Sequence, residues 1–307
     1  MIQKKYIKKN NQNQSNTKNS ADDQQESSKI KQDINFLDKP LWFQNATSEN
    51  RVWTDIDGYE YRTGYKVPEK IDIIILLYLL IKTQKLHYQK KLSLSRYEIL
   101  KGCDLLQNHP AYYYNRLEDS LKRLKNISIE FQGTFYDGNK YVSMGFGIID
   151  DYKINTEIKR VEINFNENWL LKVKESAFLK SLNFEYYKAL KRPVSRRLFE
   201  ILCKTFKEGN KWSIHLNQLG AQLTLQGRKR KNRNGPYEII YASDVLVAIK
   251  PAINELNQLA MTPDIAKKLN INDIFTLQYK ITGNKQDRII HFTKVPIPSS
   301  TTATLKG

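Results

Sequence analysis

The stretch Ser95–Lys125, SRYEILKGCDLLQNHPAYYYNRLEDSLKRLK, decides the fold. Ser95 followed three residues later by Glu98 is a capping box: the hydroxyl takes a free backbone N–H and the carboxylate reaches back. A helix is predicted from there to Gly102. Asn108-His109-Pro110 opens the next helix, with Pro110 in its first turn and His109 as a capping or turn residue. Tyr114, Leu117, Leu121 and Leu124 then follow at 3-4-3 spacing, which makes one apolar stripe.

Upstream, the folded part begins at Pro68, and Ile71 to about Gln84 is apolar on nearly every face, as in a central buried helix. Downstream come Ile127–Phe131, the turn Tyr136-Asp137-Gly138-Asn139, and Tyr141–Ile149. An Asp-Gly turn between two such runs signals a hairpin. Helix, helix, helix, β-hairpin is the order of a winged helix. Gly145-Phe146-Gly147 reads as a bulge or a crowded packing site within a strand.

The order recurs. Val194–Phe206 reads as a helix, Trp212–His215 as a strand and Asn217–Leu223 as a helix; Ser243 then caps a helix with the stripe Leu246, Ile249, Ile253, Leu256. Each stripe residue lies 132 positions beyond its counterpart in the first. A second hairpin is predicted from Phe275–Ile281, the turn Thr282-Gly283-Asn284 and Arg288–Phe292. The fold class is therefore α+β, with two tandem winged-helix domains, each a helix-turn-helix plus β-hairpin wing, as a pseudo-repeat within one chain. The predicted divisions are a disordered polar tail over 1–33, a first domain with its lead-in over 34–165, a second over 166–295, and a flexible tail over 296–307.

The chain has 307 residues, with 50 Lys+Arg against 32 Asp+Glu, a formal net charge of +18. With 40% hydrophobic residues it can build real cores, so the charge belongs to a folded protein with a polyanionic partner. Nucleic acid is the leading candidate, a membrane surface the lesser, and a basic surface kept for solubility the bland alternative. The two cysteines, Cys103 and Cys203, make neither a disulfide framework nor a zinc cluster and read as reduced core residues. The N-terminus has no apolar signal region, and the longest apolar run, Ile73–Ile81, is far short of the roughly 20 residues of a membrane span. A cytoplasmic protein with no membrane partner is expected.

On the Pro110–Lys125 helix, the face away from the stripe carries Tyr112, Asn115, Arg116, Asp119 and Arg123. A recognition helix offers such residues to base edges, Arg to guanine and Asn to adenine. The alternative is a solvated face on which Asp119 bridges Arg116 and Arg123. The second feature is Arg228-Lys229-Arg230-Lys231-Asn232-Arg233, five cations in six positions between Gly227 and Gly235. It reads as a phosphate-clamping loop, or else as a solvated loop or localisation tag. The wing tips add Lys140, Lys285 and Arg288. The second recognition helix turns Asp244, Val247, Ala248, Pro251 and Glu255 outward with Lys250 to the side, and Pro251 should kink it.

Enzyme signatures are missing: there is no G-x-x-x-x-G-K-[ST] loop and no G-x-G-x-x-G after a strand. His87, His109, His215 and His291 are scattered, without a metal-ligand pattern. No catalytic residue, metal or cofactor is expected. The protein binds rather than cuts.

Tyr187-Lys188-Ala189-Leu190 leading into Arg196-Arg197-Leu198-Phe199-Glu200-Ile201-Leu202 resembles the segment that opens the second domain of plasmid replication initiators, the iteron-binding, RepA-like family. Ile249-Lys250-Pro251-Ala252-Ile253-Asn254-Glu255-Leu256-Asn257 is similar to a signature of that family, followed there by a hairpin ending in an aromatic, here His291-Phe292. The resemblance covers about Ile34 to Val295. It implies binding of double-stranded DNA at directly repeated origin sites, opening of an adjacent A·T-rich segment, and recruitment of the host replication initiator and helicase. It also implies a monomer that initiates and a homodimer that represses its own promoter. A winged-helix transcriptional regulator is the runner-up, and a primase-associated or nicking enzyme the third reading.

Overall fold

The computed structural model describes residues 29–44, 52–54, 58–106, 110–176, 179–206, 209–232, 235–262, 275–284 and 287–297. The lead-in holds strand β1 (Lys29–Asp33), the short helix α1 (Ile34–Asp38), β2 (Val52–Thr54) and β3 (Tyr59–Thr63). Next come α2 (Lys70–Lys85), β4 (Lys91–Ser95), α3 (Arg96–Gly102) and α4 (Pro110–Lys125). Four strands follow: β5 (Ile127–Tyr136), β6 (Tyr141–Gly147), β7 (Ile149–Asn155) and β8 (Arg160–Phe165). A bridge of α5 (Glu167–Glu175), β9 (Leu179–Asn183) and α6 (Phe184–Ala189) leads to α7 (Pro193–Thr205), β10 (Lys211–His215) and α8 (Leu216–Gln222). The chain then runs through β11 (Arg228–Asn232), β12 (Gly235–Ile239), α9 (Ala242–Ala260), β13 (Phe275–Thr282) and β14 (Ile289–Pro296).

Two three-stranded antiparallel sheets have the same order, β4-β8-β7 and β10-β14-β13. In each half a helix is followed by a strand, two helices and a hairpin, and the strand lies beside the hairpin's second arm. The chain is α+β, two tandem winged helices.

This topology corrects the first wing. The Asp-Gly hairpin, β5–β6, joins β2 and β3 in a separate four-stranded sheet of order β2-β3-β5-β6, so it is an insertion. The hairpin equivalent to β13–β14 is β7–β8, because it alone pairs with the strand between the first two helices. Lys140 therefore sits on the inserted hairpin, whose Asp137 is tied to Lys172 of α5 at 3.0 Å. Nor is Gly145-Phe146-Gly147 the irregular place: the register shifts on β5, between Phe131 and Phe135. A Cβ at Gly145 or Gly147 would meet only a carbonyl 3.8 Å away.

Local chemistry explains the helix starts. Ser95 Oγ accepts from the Glu98 N–H at 3.0 Å, but the Glu98 carboxylate pairs with Lys82 at 2.7 Å instead of reaching back. Helix α2 has its own capping box, Glu69 with Asp72, so it starts just after Pro68. Helix α9 starts one residue before Ser243, with Tyr241 at the N-cap position, and continues through Pro251 to Ala260. All nine residues from Ile73 to Ile81 are buried, as an apolar run on every face requires.

The lead-in is built into the molecule. Phe36 packs edge-on against Phe131, Phe135, Phe146 and Trp169, with centroids 5.7–6.2 Å apart. Lys29–Asp33, expected in the disordered tail, is a strand paired antiparallel with β9, and residues 1–28 lie outside the described ones. At the other end β14 continues to Pro296, opposite Phe275.

A buried hub joins the lead-in to the second half. Arg197, 1% exposed, donates to the carbonyls of Leu37, Asp38 and Gln222 and pairs with Glu200 at 2.6 Å. Glu200 also accepts from Trp42 Nε1 at 3.1 Å and from the Tyr187 hydroxyl at 2.8 Å. Arg196 donates to the carbonyls of Leu190 and Lys188, and Lys188 spans to Asp104 at 2.7 Å. The motif Arg196–Leu202 is thus a structural joint, because its cations satisfy buried carbonyls.

Candidate nucleic-acid interface

The two proposed recognition helices are α4 and α9. On α4, Leu117, Leu121 and Leu124 are fully buried as the stripe predicts. The opposite face is not free. The segment joining β3 to α2 crosses it: the Gly64 N–H donates to the Asn126 carbonyl at 2.9 Å and the Tyr65 hydroxyl to Asp119 at 3.0 Å.

Arg116 and Arg123 are consequently buried. Arg116 reaches Asp72 at 2.8 Å, Asp119 at 3.2 Å and Ser120 at 3.0 Å. Arg123 reaches Glu69 at 2.7 Å, Asp119 at 2.9 Å and the Val67 carbonyl at 2.9 Å. Two guanidiniums and three carboxylates lock α4 to the start of α2, which removes both arginines from base readout. The Asp119 bridge exists, but between two buried arginines, with Asp119 itself half-buried under the crossing segment. Burial alone would raise the Asp119 carboxyl; the Tyr65 hydroxyl, Arg123 and Arg116 outweigh it and hold the group below the usual carboxylate range. What α4 presents outward is Tyr112, Asn115, Glu118 and Lys122.

In the second half the basic run is not a loop. Arg228–Asn232 is strand β11, paired with β12 through the turn at Gly235, whose φ of +113° suits glycine. Gly227 is also needed, since a Cβ there would lie 3.0–3.2 Å from Glu238 and Ile239. The hairpin leans on the first turn of α9. The Arg228 and Arg230 guanidiniums lie 5.4 and 5.8 Å from the Tyr241 ring centroid, and Arg230 Nε donates to the Tyr241 hydroxyl at 3.2 Å. Arg228 also grips Asp244 at two points, its Nε 2.8 Å from Oδ2.

Strand alternation sends Lys229 and Lys231 to the other side, exposed and in no ion pair among the described residues. Arg233 and Lys285 lie outside the described residues, as does His109. Arg288 is half-buried, at the base of the second wing.

The outer face of α9 differs from the helical-wheel expectation. Ser243, Val247, Lys250, Asn254 and Gln258 are exposed, Val247 at 74%. Glu255 turns inward, accepting from the Lys191 and Arg192 N–H groups and the Ser195 hydroxyl to cap α7. Helix α8 lies close behind: a Cβ at Gly220 would sit 2.7 Å from methyls of both Ile240 and Val245.

The structure therefore brings Arg228 and Arg230 against the first turn of α9, with Lys229 and Lys231 on the far side of the same hairpin and Lys250 exposed farther along the helix. Tyr112 and Asn115 belong to the first repeat, and no hydrogen bond or ion pair joins the two groups among the described residues. Sequence reasoning missed Tyr241, which organises the cationic hairpin, and the first wing's Lys153, Lys159 and Arg160. Their signal was present: Tyr152 and Ile154, then Val161, Ile163 and Phe165, alternate around Asn155-Thr156. Among the described residues no cluster of His, Cys, Asp and Glu could hold a metal ion, and no helix is long and apolar enough to cross a membrane.

Other proteins share this architecture. The Pi initiator protein, solved in complex with iteron DNA, superposes with a TM-score of 0.56 at 11% identity, over 89% of this chain and 99% of that one. Domains 2 and 3 of RctB superpose with a TM-score of 0.51 at 13% identity, over 84% and 96%. A Wigglesworthia glossinidia brevipalpis protein described as "Putative replication protein" is 33% identical over 104 residues, 32% of this chain; the match spans 37% of that relative's length. The family model for replication initiator protein A matches residues 68–245, more than half of the chain, from the helix that Arg116 and Arg123 clasp to the helix that the cationic hairpin flanks. The chain belongs to the replication initiator protein A family.

Proposed function

We propose that this protein initiates plasmid replication by binding double-stranded DNA at direct repeats of an origin. The observation that carries the reading is the cationic hairpin fixed beside α9: four cations, Arg228–Lys231, stand at the start of a helix whose outer face offers Ser243, Val247 and Lys250. Helix N-terminal residues are the ones a helix-turn-helix presents to the major groove, while flanking cations hold phosphates. Tyr112 and Asn115 of α4 make a second, smaller contact set in the other repeat. Two modules in one chain fit two successive major-groove faces about one helical turn apart, which suits tandem direct repeats better than the palindrome a dimeric regulator reads.

Binding opens an adjacent A·T-rich tract and brings in the host initiator and helicase; a homodimer represses the protein's own promoter. The protein works in the cytoplasm and hydrolyses no nucleotide, so opening draws on binding energy and DNA deformation, of order 1–6 kcal/mol per bent site. The test is a protection footprint of the full chain on DNA flanking its own gene. Tandem direct-repeat protection supports initiation. A single protected palindrome would make the protein a transcriptional regulator instead.

A further inference from the structure

We propose that Ile158, at the tip of the true first wing, is a wedge that enters a minor groove of double-stranded DNA and separates two stacked base pairs. The inference rests on the DNA-binding reading above and adds a contact to it.

Four observations carry it. Ile158 is 58% exposed in the turn between β7 and β8. The tip is stiff: Asn155 Oδ1 accepts from the N–H groups of both Glu157 and Ile158, at 3.0 and 3.2 Å. Lys159 adopts φ +55°, a left-handed conformation uncommon for a residue with a side chain. Finally, Lys159 and Arg160 follow the isoleucine directly and Glu157 precedes it, so the tip carries two cations to one anion. Arg160 Nε is anchored to Ser93 Oγ at 2.9 Å, which ties the wing to β4.

A lone exposed apolar side chain is ordinary on a protein surface. One held on a rigid, cation-flanked tip beside a recognition helix has the build of a minor-groove wedge, where apolar residues insert between base steps while neighbouring cations hold the backbone. Among the described residues of the second wing's turn, Gly283, Asn284 and Asp287 are small or polar and offer no such side chain. Unstacking is easiest at flexible pyrimidine–purine steps such as TA, so a wedge would favour such a step without hydrogen-bonding to any base.

The experiment uses the full chain and a duplex it selects from a randomised pool, with 2-aminopurine replacing single adenines along the site. Anisotropy reads binding and 2-aminopurine fluorescence reads unstacking, so the two claims fail separately. The wild type should bind and brighten 2-aminopurine several-fold at one step. Ile158→Ala should bind with nearly unchanged salt dependence yet lose the brightening, and Ile158→Leu should keep it. Binding without brightening, or brightening retained in Ile158→Ala, overturns the wedge and leaves the DNA-binding reading intact. Loss of self-association in Ile158→Ala, with the DNA signals unchanged, would assign the tip to a protein contact and also overturn it. No selected duplex at all would overturn both.

Discussion

Arg116 and Asp72 meet at 2.8 Å in the interior, where Asp72 has no exposed surface and Arg116 is 8% exposed. The carboxylate comes from the first turn of the central helix α2 and the guanidinium from α4. The pair therefore fixes the angle at which α4 presents Tyr112 and Asn115.

Arg116→Ala is accordingly a stability variant. Removing one partner leaves a buried charge behind, which costs about 3–5 kcal/mol. Urea denaturation should show that loss, with DNA binding falling on every sequence alike. A variant of wild-type stability with relaxed preference at one base pair would return Arg116 to base readout.

On the hairpin, the free lysines rather than Arg228 should carry the salt dependence. Each phosphate neutralised adds about 0.9 to the slope of log affinity against log salt, so Lys229→Ala/Lys231→Ala should flatten it by about 2. Arg228 is already matched by Asp244, and Arg228→Ala should flatten it distinctly less. Salt titrations of both variants on a specific and a scrambled duplex decide the matter; a flattening of about 0.9 in Arg228→Ala, as much as each lysine gives, would mean that DNA displaces Asp244.

Gly220→Ala would normally help a helix by about 1 kcal/mol. Here the added methyl meets branched side chains of Ile240 and Val245, and overpacking costs about 1–3 kcal/mol. A lower thermal midpoint and weaker DNA binding are expected, because α8 must move off α9. An unchanged or raised midpoint would show that the helices give way freely.

Asp119 sets a pH dependence. Its folded pKa lies below the ordinary Asp value of about 3.9, so its contribution to stability is present above that value and fades as pH falls through the lowered one. Urea midpoints measured from pH 6 to pH 2.5 should therefore drop less steeply in Asp119→Asn than in wild type at the acid end. Parallel profiles would show that Asp119 titrates alike in both states.

Patterns that act within one element were legible in the sequence. The capping serine at Ser95, the Leu117/Leu121/Leu124 stripe and its counterpart Ile249/Ile253/Leu256 depend on neighbours three and four residues away, and the chain folds them as read. The doubled helix order, the basic balance and the family resemblance followed from the same local signals. What a helix face meets is another matter. By helical geometry Arg116 and Arg123 point away from the stripe, and only the crossing of Gly64–Glu69 over that face buries them. The choice of wing was likewise non-local, since β5–β6 and β7–β8 are both good hairpins and only pairing with β4 distinguishes them. The basic run became a strand rather than a loop because β12 and the Tyr241 ring lie where they can hold it. Periodicity records which side of an element is apolar; which distant segment arrives to cover the other side is decided when the chain closes on itself.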